Sequence, residues 1–88
     1  MTSRSVTVVN QLGMHARAAA KFVHLAARFQ ARVRVARHGR EIDGKSIMGL
    51  MMLAAAKGST VRFVAQGADA EQMLTELEAL FAKKFDEA

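Results

Sequence analysis

The chain has 88 residues, of which 51% are hydrophobic and 24% charged, a balance that suits one folded domain and excludes a disordered segment. It contains no cysteine and no proline, which excludes a disulfide framework, a thiolate metal site and proline-rich recognition segments, and fits a reducing, cytoplasmic setting. The net charge of +5 favours acidic partners, yet five phenylalanines without tyrosine or tryptophan offer little for bases to stack on, so nucleic acid is not an expected partner.

Ser5–Val9 is β-branched and partly alternating and reads as a first strand. Thr2-Ser3-Arg4 leads straight into it, unlike the apolar core of a signal peptide. From Ala16 to Phe29 the apolar residues Ala19, Phe22, Val23, Ala26 and Phe29 recur at helical steps and form the buried face of a helix. Its other side carries Arg17, Lys21, His24 and Arg28, a solvated basic face that doubles as a candidate docking stripe. Ala31–Val35 alternates cleanly between apolar and basic residues, as a strand with one wet face does. His38-Gly39 turns the chain, and Arg40–Asp43 returns as a short strand.

Ser46 is a suitable N-cap for a helix running from Ile47 to about Ala56, with Lys57-Gly58 ending it. This longest apolar run is too short to cross a bilayer. Thr60–Gln66 alternates again, with Val61, Phe63 and Ala65 inward. Asp69 followed by Gln72 resembles a capping box that opens a last helix through Met73, Leu74, Leu77, Leu80 and Phe81. The order β-α-β-β-α-β-α predicts an α+β open-faced sandwich over residues 1–88, a four-stranded antiparallel sheet with three helices on one face.

Two stretches carry chemistry. In Leu12-Gly13-Met14-His15-Ala16-Arg17 a glycine turn delivers a histidine to a strand-to-helix junction. There an imidazole sits beside unpaired backbone N–H groups, those of Ala16 and Arg17, and a guanidinium follows two residues on. That is a good place to hold a phosphoryl group, although a lone histidine more often caps or packs. Gly39–Ser46 satisfies the pattern G-x-x-x-x-G-K-[ST]. Nucleotide binding is rejected nevertheless, because Glu41 and Asp43 would place negative charge in a phosphate cradle and the strand before it has a wet face. In the helix after Ser46, Leu50 and Leu53 are core choices, while Ile47, Met48 and Met51 are candidates for an exposed, adaptable patch. His24 and His38 lack a partner at metal-ligand spacing, so neither a metal nor another cofactor is expected.

Gly13-Met14-His15-Ala16-Arg17 resembles the active-site segment of the HPr phosphocarriers of the bacterial phosphoenolpyruvate-dependent phosphotransferase system, and Lys45-Ser46-Ile47-Met48-Gly49-Leu50-Met51 resembles their second signature. The spacing of the two motifs, the length and the element order agree with that family along essentially the whole chain. The resemblance implies that His15 accepts phosphate on Nδ1 from phospho-enzyme I and passes it to an EIIA-type protein, with Arg17 assisting. It implies a carrier rather than a turnover enzyme; a monomer without membrane insertion is expected. It also marks Ser46 as a target of HPr kinase/phosphorylase, and Met14, Lys21, His24, Ile47, Met48 and Met51 as docking residues. The alternative is a regulatory module of the same fold that docks to a transcription factor or kinase, against which the presence of His15 argues. Ala18 stands where the family usually has proline; Phe85-Asp86-Glu87 is similar to members of the nitrogen-regulatory branch, whereas Lys45–Met51 is shared with the sugar branch, so the sequence does not separate the two.

Overall fold

Alternation along two strands locates the core. Val33, Val35, Val61, Phe63 and Ala65 are at most 1% exposed and point one way, while Arg32, Arg34, Arg62 and Gln66 between them face solvent. The computed structural model, which describes residues 1–53 and 55–87, joins these strands into one antiparallel sheet. Its spatial order is β1 (Thr2–Thr7), β4 (Thr60–Gln66), β2 (Arg32–Arg37) and β3 (Arg40–Asp43). Helices α1 (Ala16–Ala26), α2 (Ile47–Met52) and α3 (Ala70–Ala82) cover its apolar face, so the expected element order and architecture are those observed.

Between sheet and helices lies a phenylalanine cluster. The ring centroids of Phe22 and Phe63 are 5.5 Å apart, those of Phe63 and Phe81 5.4 Å, and those of Phe22 and Phe81 6.2 Å, all edge to face. Leu50 and Leu53 are buried, as their spacing implied, and so anchor α2 to the core.

The bounds of the first strand and the ends of α1 and α2 differ from expectation, and in each case groups distant in sequence are involved. The first strand runs over Thr2–Thr7 rather than Ser5–Val9. Its inward positions include Arg4, whose guanidinium reaches Glu71, Thr75 and Glu78 on α3, so a polar residue serves where alternation calls for an apolar one. Helix α1 stops at Ala26 instead of Phe29. Beyond it the Asp69 carboxylate accepts from the Gln30 and Ala31 N–H groups at 2.9 and 2.8 Å, and the Phe29 carbonyl accepts from Lys45 Nζ. Asp69 therefore makes no side-chain cap on α3, contrary to the capping box read from Asp69 and Gln72. Those two bonds, that to Gln30 first, hold its carboxyl below the usual carboxylate range.

Helix α2 ends at Met52, not near Ala56; Ala54, inside the expected helix, lies outside the described residues. Arg37 and Arg40 donate to the Leu53 and Met52 carbonyls, terminating the helix. The Ala55 carbonyl is used elsewhere, accepting from the Met14 N–H at 2.9 Å. Lys45 is thus tied to a main-chain carbonyl, and the chain from Gly39 to Ser46 is a turn, a strand and a second turn rather than a phosphate loop.

Candidate functional site

The loop between β1 and α1 is shaped by Gly13, whose φ of +66° is open to glycine without strain. A Cβ there would lie 2.5 Å from the Ala55 carbonyl oxygen, so the position also needs glycine for space. The loop is held between Asn10 and Ala55: the Gly13 carbonyl accepts from Asn10 Nδ2 at 2.8 Å, and the Met14 N–H donates to Ala55. The chain leaves this hold at His15, which is the N-cap residue of α1 with an extended backbone, φ −78° and ψ 176°. Its carbonyl accepts the first helical bond, from Ala19, while its side chain caps nothing. The N–H groups of Ala16 and Arg17, in the first turn, have no acceptor within the helix. With alanine rather than proline at 18, that turn still begins at Ala16, and Ala18 packs fully buried.

The His15 side chain is 28% exposed. Of its two ring nitrogens, Nε2 is buried without a hydrogen-bond partner, which leaves Nδ1 as the nitrogen toward solvent. The nearest counter-charge to Nε2 is Glu87 Oε2 at 3.5 Å. Glu87 is itself tightly held: it accepts from Asn10 Nδ2 at 3.0 Å, from the Gln11 N–H at 2.7 Å and from the Leu12 N–H at 3.3 Å. These donors, Asn10 foremost, hold its carboxyl below the usual carboxylate range.

What brings Glu87 here is a left-handed turn after α3. Lys84, Phe85 and Asp86 have φ of 57°, 55° and 57°, and Phe85 is buried with its ring 4.8 Å from that of Phe81. A cavity of about 390 Å³ opens at the site, with Leu12, His15, Arg17 and Lys21 on one side and Phe85–Glu87 on the other. Its walls supply a ring nitrogen, the Arg17 guanidinium and the Lys21 ammonium, but also the Asp86 and Glu87 carboxylates, and because Lys21 pairs with Asp86 the Arg17 guanidinium is the cation best placed for a phosphoryl group.

The residues read as candidates are not all brought together. His15, Ala16 and Arg17 share the head of α1, with Arg17 exposed. Ser46 caps α2, its hydroxyl oxygen accepting from the Gly49 N–H at 3.0 Å. Ile47, Met48 and Met51 are 37%, 71% and 43% exposed on α2, and Met52, not among the candidates, joins them at 61%. His24 is exposed on α1, and Lys21 pairs with Asp86 at 3.3 Å. Met14 requires a correction: it is only 7% exposed and belongs to the core, so it supplies no docking surface. Its backbone is drawn toward Ala55, which turns the side chain under the loop. Leu12, 67% exposed beside His15, is the apolar residue that faces out instead. Sequence reading also missed Asn10 and the placement of Glu87, since no spacing rule connects a residue after β1 with one that follows α3.

A small α+β sandwich that offers a histidine from a helix N-terminus, with a guanidinium two residues on, defines a class of phosphoryl-handling modules. The family model described as "PTS HPr component phosphorylation site" matches residues 2–83. The chain belongs to the HPr family of phosphocarriers of the phosphotransferase system. It is 48% identical over 87 residues to the phosphocarrier protein HPr of Cupriavidus necator, covering 99% of this chain and 98% of that one. To the phosphocarrier protein HPr of Pseudomonas aeruginosa it is 46% identical over 88 residues, with the same coverage of both. The crystal structure of HPr-C-His from Thermoanaerobacter tengcongensis superposes with a TM-score of 0.95 at 35% identity, covering 100% of this chain and 99% of the other.

Proposed function

We propose that this chain carries a phosphoryl group on Nδ1 of His15, taking it from phospho-enzyme I and delivering it to an EIIA-type protein. The observation that carries the reading is the division of labour between the ring nitrogens. Nε2 is buried against Glu87, and Nδ1 is left open at the head of α1. The Nδ1 lone pair attacks phosphorus, and the first-turn N–H groups of Ala16 and Arg17 with the Arg17 guanidinium receive the phosphoryl oxygens. The Arg17 side chain makes no hydrogen bond among the described residues, so it is free to follow the group during transfer. Stabilisation must remain modest, because a carrier that holds its phosphate too firmly does not deliver it.

Docking is assigned to the exposed Ile47, Met48 and Met51 on α2 and to the basic residues Lys21 and His24 on α1, which face α3, together suited to an acidic, partly apolar partner. Phosphorylation of Ser46 by an HPr kinase would add charge beside that surface and replace the cap on Gly49, with an electrostatic effect on docking rather than refolding. The carrier works as one domain and as a monomer in the cytoplasm, with no cofactor of its own. Incubation with enzyme I and phosphoenolpyruvate should add a single acid-labile phosphate in the intact mass spectrum, absent in His15→Ala. No added mass on the wild-type protein would overturn the reading.

A further inference from the structure

Asn10 is a buried polar residue that stability alone does not explain. It is completely inaccessible to solvent, and its Oδ1 is buried without a partner. A buried oxygen of that kind is a cost the chain would avoid with an apolar residue of similar size. Its Nδ2, however, serves two acceptors at once, the Gly13 carbonyl at 2.8 Å and Glu87 Oε2 at 3.0 Å. One amide group therefore joins the turn that presents His15 to the carboxylate that faces the back of its ring. The Gln11 and Leu12 N–H groups fix the other oxygen of that carboxylate, so Glu87 has little freedom to swing away.

We propose that Asn10 and Glu87 form a latch that selects the reactive tautomer of His15, making them positioning residues for phosphoryl transfer. The proposal rests on the carrier reading above and adds to it the means by which the ring is prepared. Attack through Nδ1 requires the lone pair there and the proton on Nε2. A carboxylate 3.5 Å from Nε2 favours the proton on that nitrogen by its charge, although no hydrogen bond is formed in this state, and it does not face the other nitrogen. The balance of the step assigns a second task to the same group. When the Nδ1–P bond forms, the donor's bond to phosphorus breaks and its electron pair leaves with the donor atom. The proton stays on Nε2 and the ring gains a formal positive charge, which Glu87 faces. The 3.5 Å separation belongs to the unphosphorylated state and is expected to shorten as that charge develops. The lowered pKa of Glu87 is consistent, since it keeps the carboxylate charged at any pH where transfer runs.

The latch is tested by two measurements on Asn10→Ala, Glu87→Ala and Glu87→Gln. The first is the tautomer ratio of His15 in the unphosphorylated protein, read from two-bond proton–nitrogen correlations on ¹⁵N-histidine-labelled samples. The wild type should show the Nε2–H form almost alone, and both alanine variants a several-fold rise in Nδ1–H. The second is the rate of phosphoryl uptake from phospho-enzyme I, expected to fall about tenfold in the alanine variants, the scale of one lost hydrogen bond to a charged group. Glu87→Gln, whose carbonyl can still accept, should keep the tautomer but not the rate. An unchanged tautomer ratio in Glu87→Ala overturns the latch whatever the rate does. Glu87 lies outside the apolar core, so this arm stands even if Asn10→Ala fails to fold. If the wild type takes up no phosphate, the carrier reading fails, and the tautomer ratio still decides the latch.

Discussion

Truncating Phe85 to alanine should release the whole segment after α3 and not merely open a hole beside Phe81. Lys84, Phe85 and Asp86 are consecutive non-glycine residues with φ near +55°, each costing roughly 1–2 kcal/mol in that conformation. Burying one phenylalanine side chain contributes about 1.5–3 kcal/mol, so the ring alone does not hold the turn. The remainder must come from Glu87 and its bonds to Asn10, Gln11 and Leu12, which makes the two anchors interdependent. When Phe85→Ala frees the segment, the strain disappears along with the contacts. The net loss is then about 2 kcal/mol, less than the 3–5 kcal/mol of a phenylalanine truncated inside a closed core. For a domain of this size that corresponds to a fall in Tm of roughly 8–16 °C. Thermal unfolding gives the magnitude, and amide exchange at Gln11 and Leu12 shows whether Glu87 has left. A loss of 3–5 kcal/mol with those two amides still protected would refute the reasoning and make Phe85 an ordinary core residue.

Ser46→Ala removes the acceptor for the Gly49 N–H and should cost about 1 kcal/mol in denaturant unfolding, most of it restored by Ser46→Asp. Gly13→Ala combines a φ of +66° with a Cβ 2.5 Å from the Ala55 oxygen and 2.9 Å from the Ala56 Cα, neither of which can rotate away. Its cost should exceed about 2 kcal/mol, and the Met14 amide should lose its exchange protection. Asp69 is held below the ordinary carboxylate range by the Gln30 and Ala31 N–H groups, so its contribution is complete above about pH 4 and is lost as pH falls through the lower folded value. The stability gap between wild type and Asp69→Ala, followed by urea unfolding at successive pH values, should therefore narrow on acidification. A gap that widens would contradict the sign.

Periodicity made the faces of the elements legible, and the motif around His15 made the head of α1 legible, because both depend on neighbours a few residues apart. Val33, Val35, Val61 and Phe63 had to face one way whatever lay above them. Ends of elements were less legible because the groups that end them come from elsewhere. Nothing near Gln30 announces that Asp69 will take its amide, and nothing near Ala55 announces that its carbonyl belongs to Met14. Met14 was misplaced for the same reason: as an apolar residue beside His15 it suits docking, until the pull toward Ala55 turns it inward.

The same long-range bonds also build the site. The amide of Met14 draws the loop toward the end of α2, and Asn10 ties that loop to the turn that follows α3. His15 is thereby presented by groups from three parts of the chain, although only one of them carries a recognisable motif. A histidine at a helix N-terminus needs nothing more than the local sequence to be accessible. The proposed attack through one chosen nitrogen calls for a fixed counter-charge behind the other, and among the described residues Glu87 is the carboxylate in that position. Accessibility is therefore a property of residues 12–17, and the proposed choice of nitrogen would be a property of the folded chain.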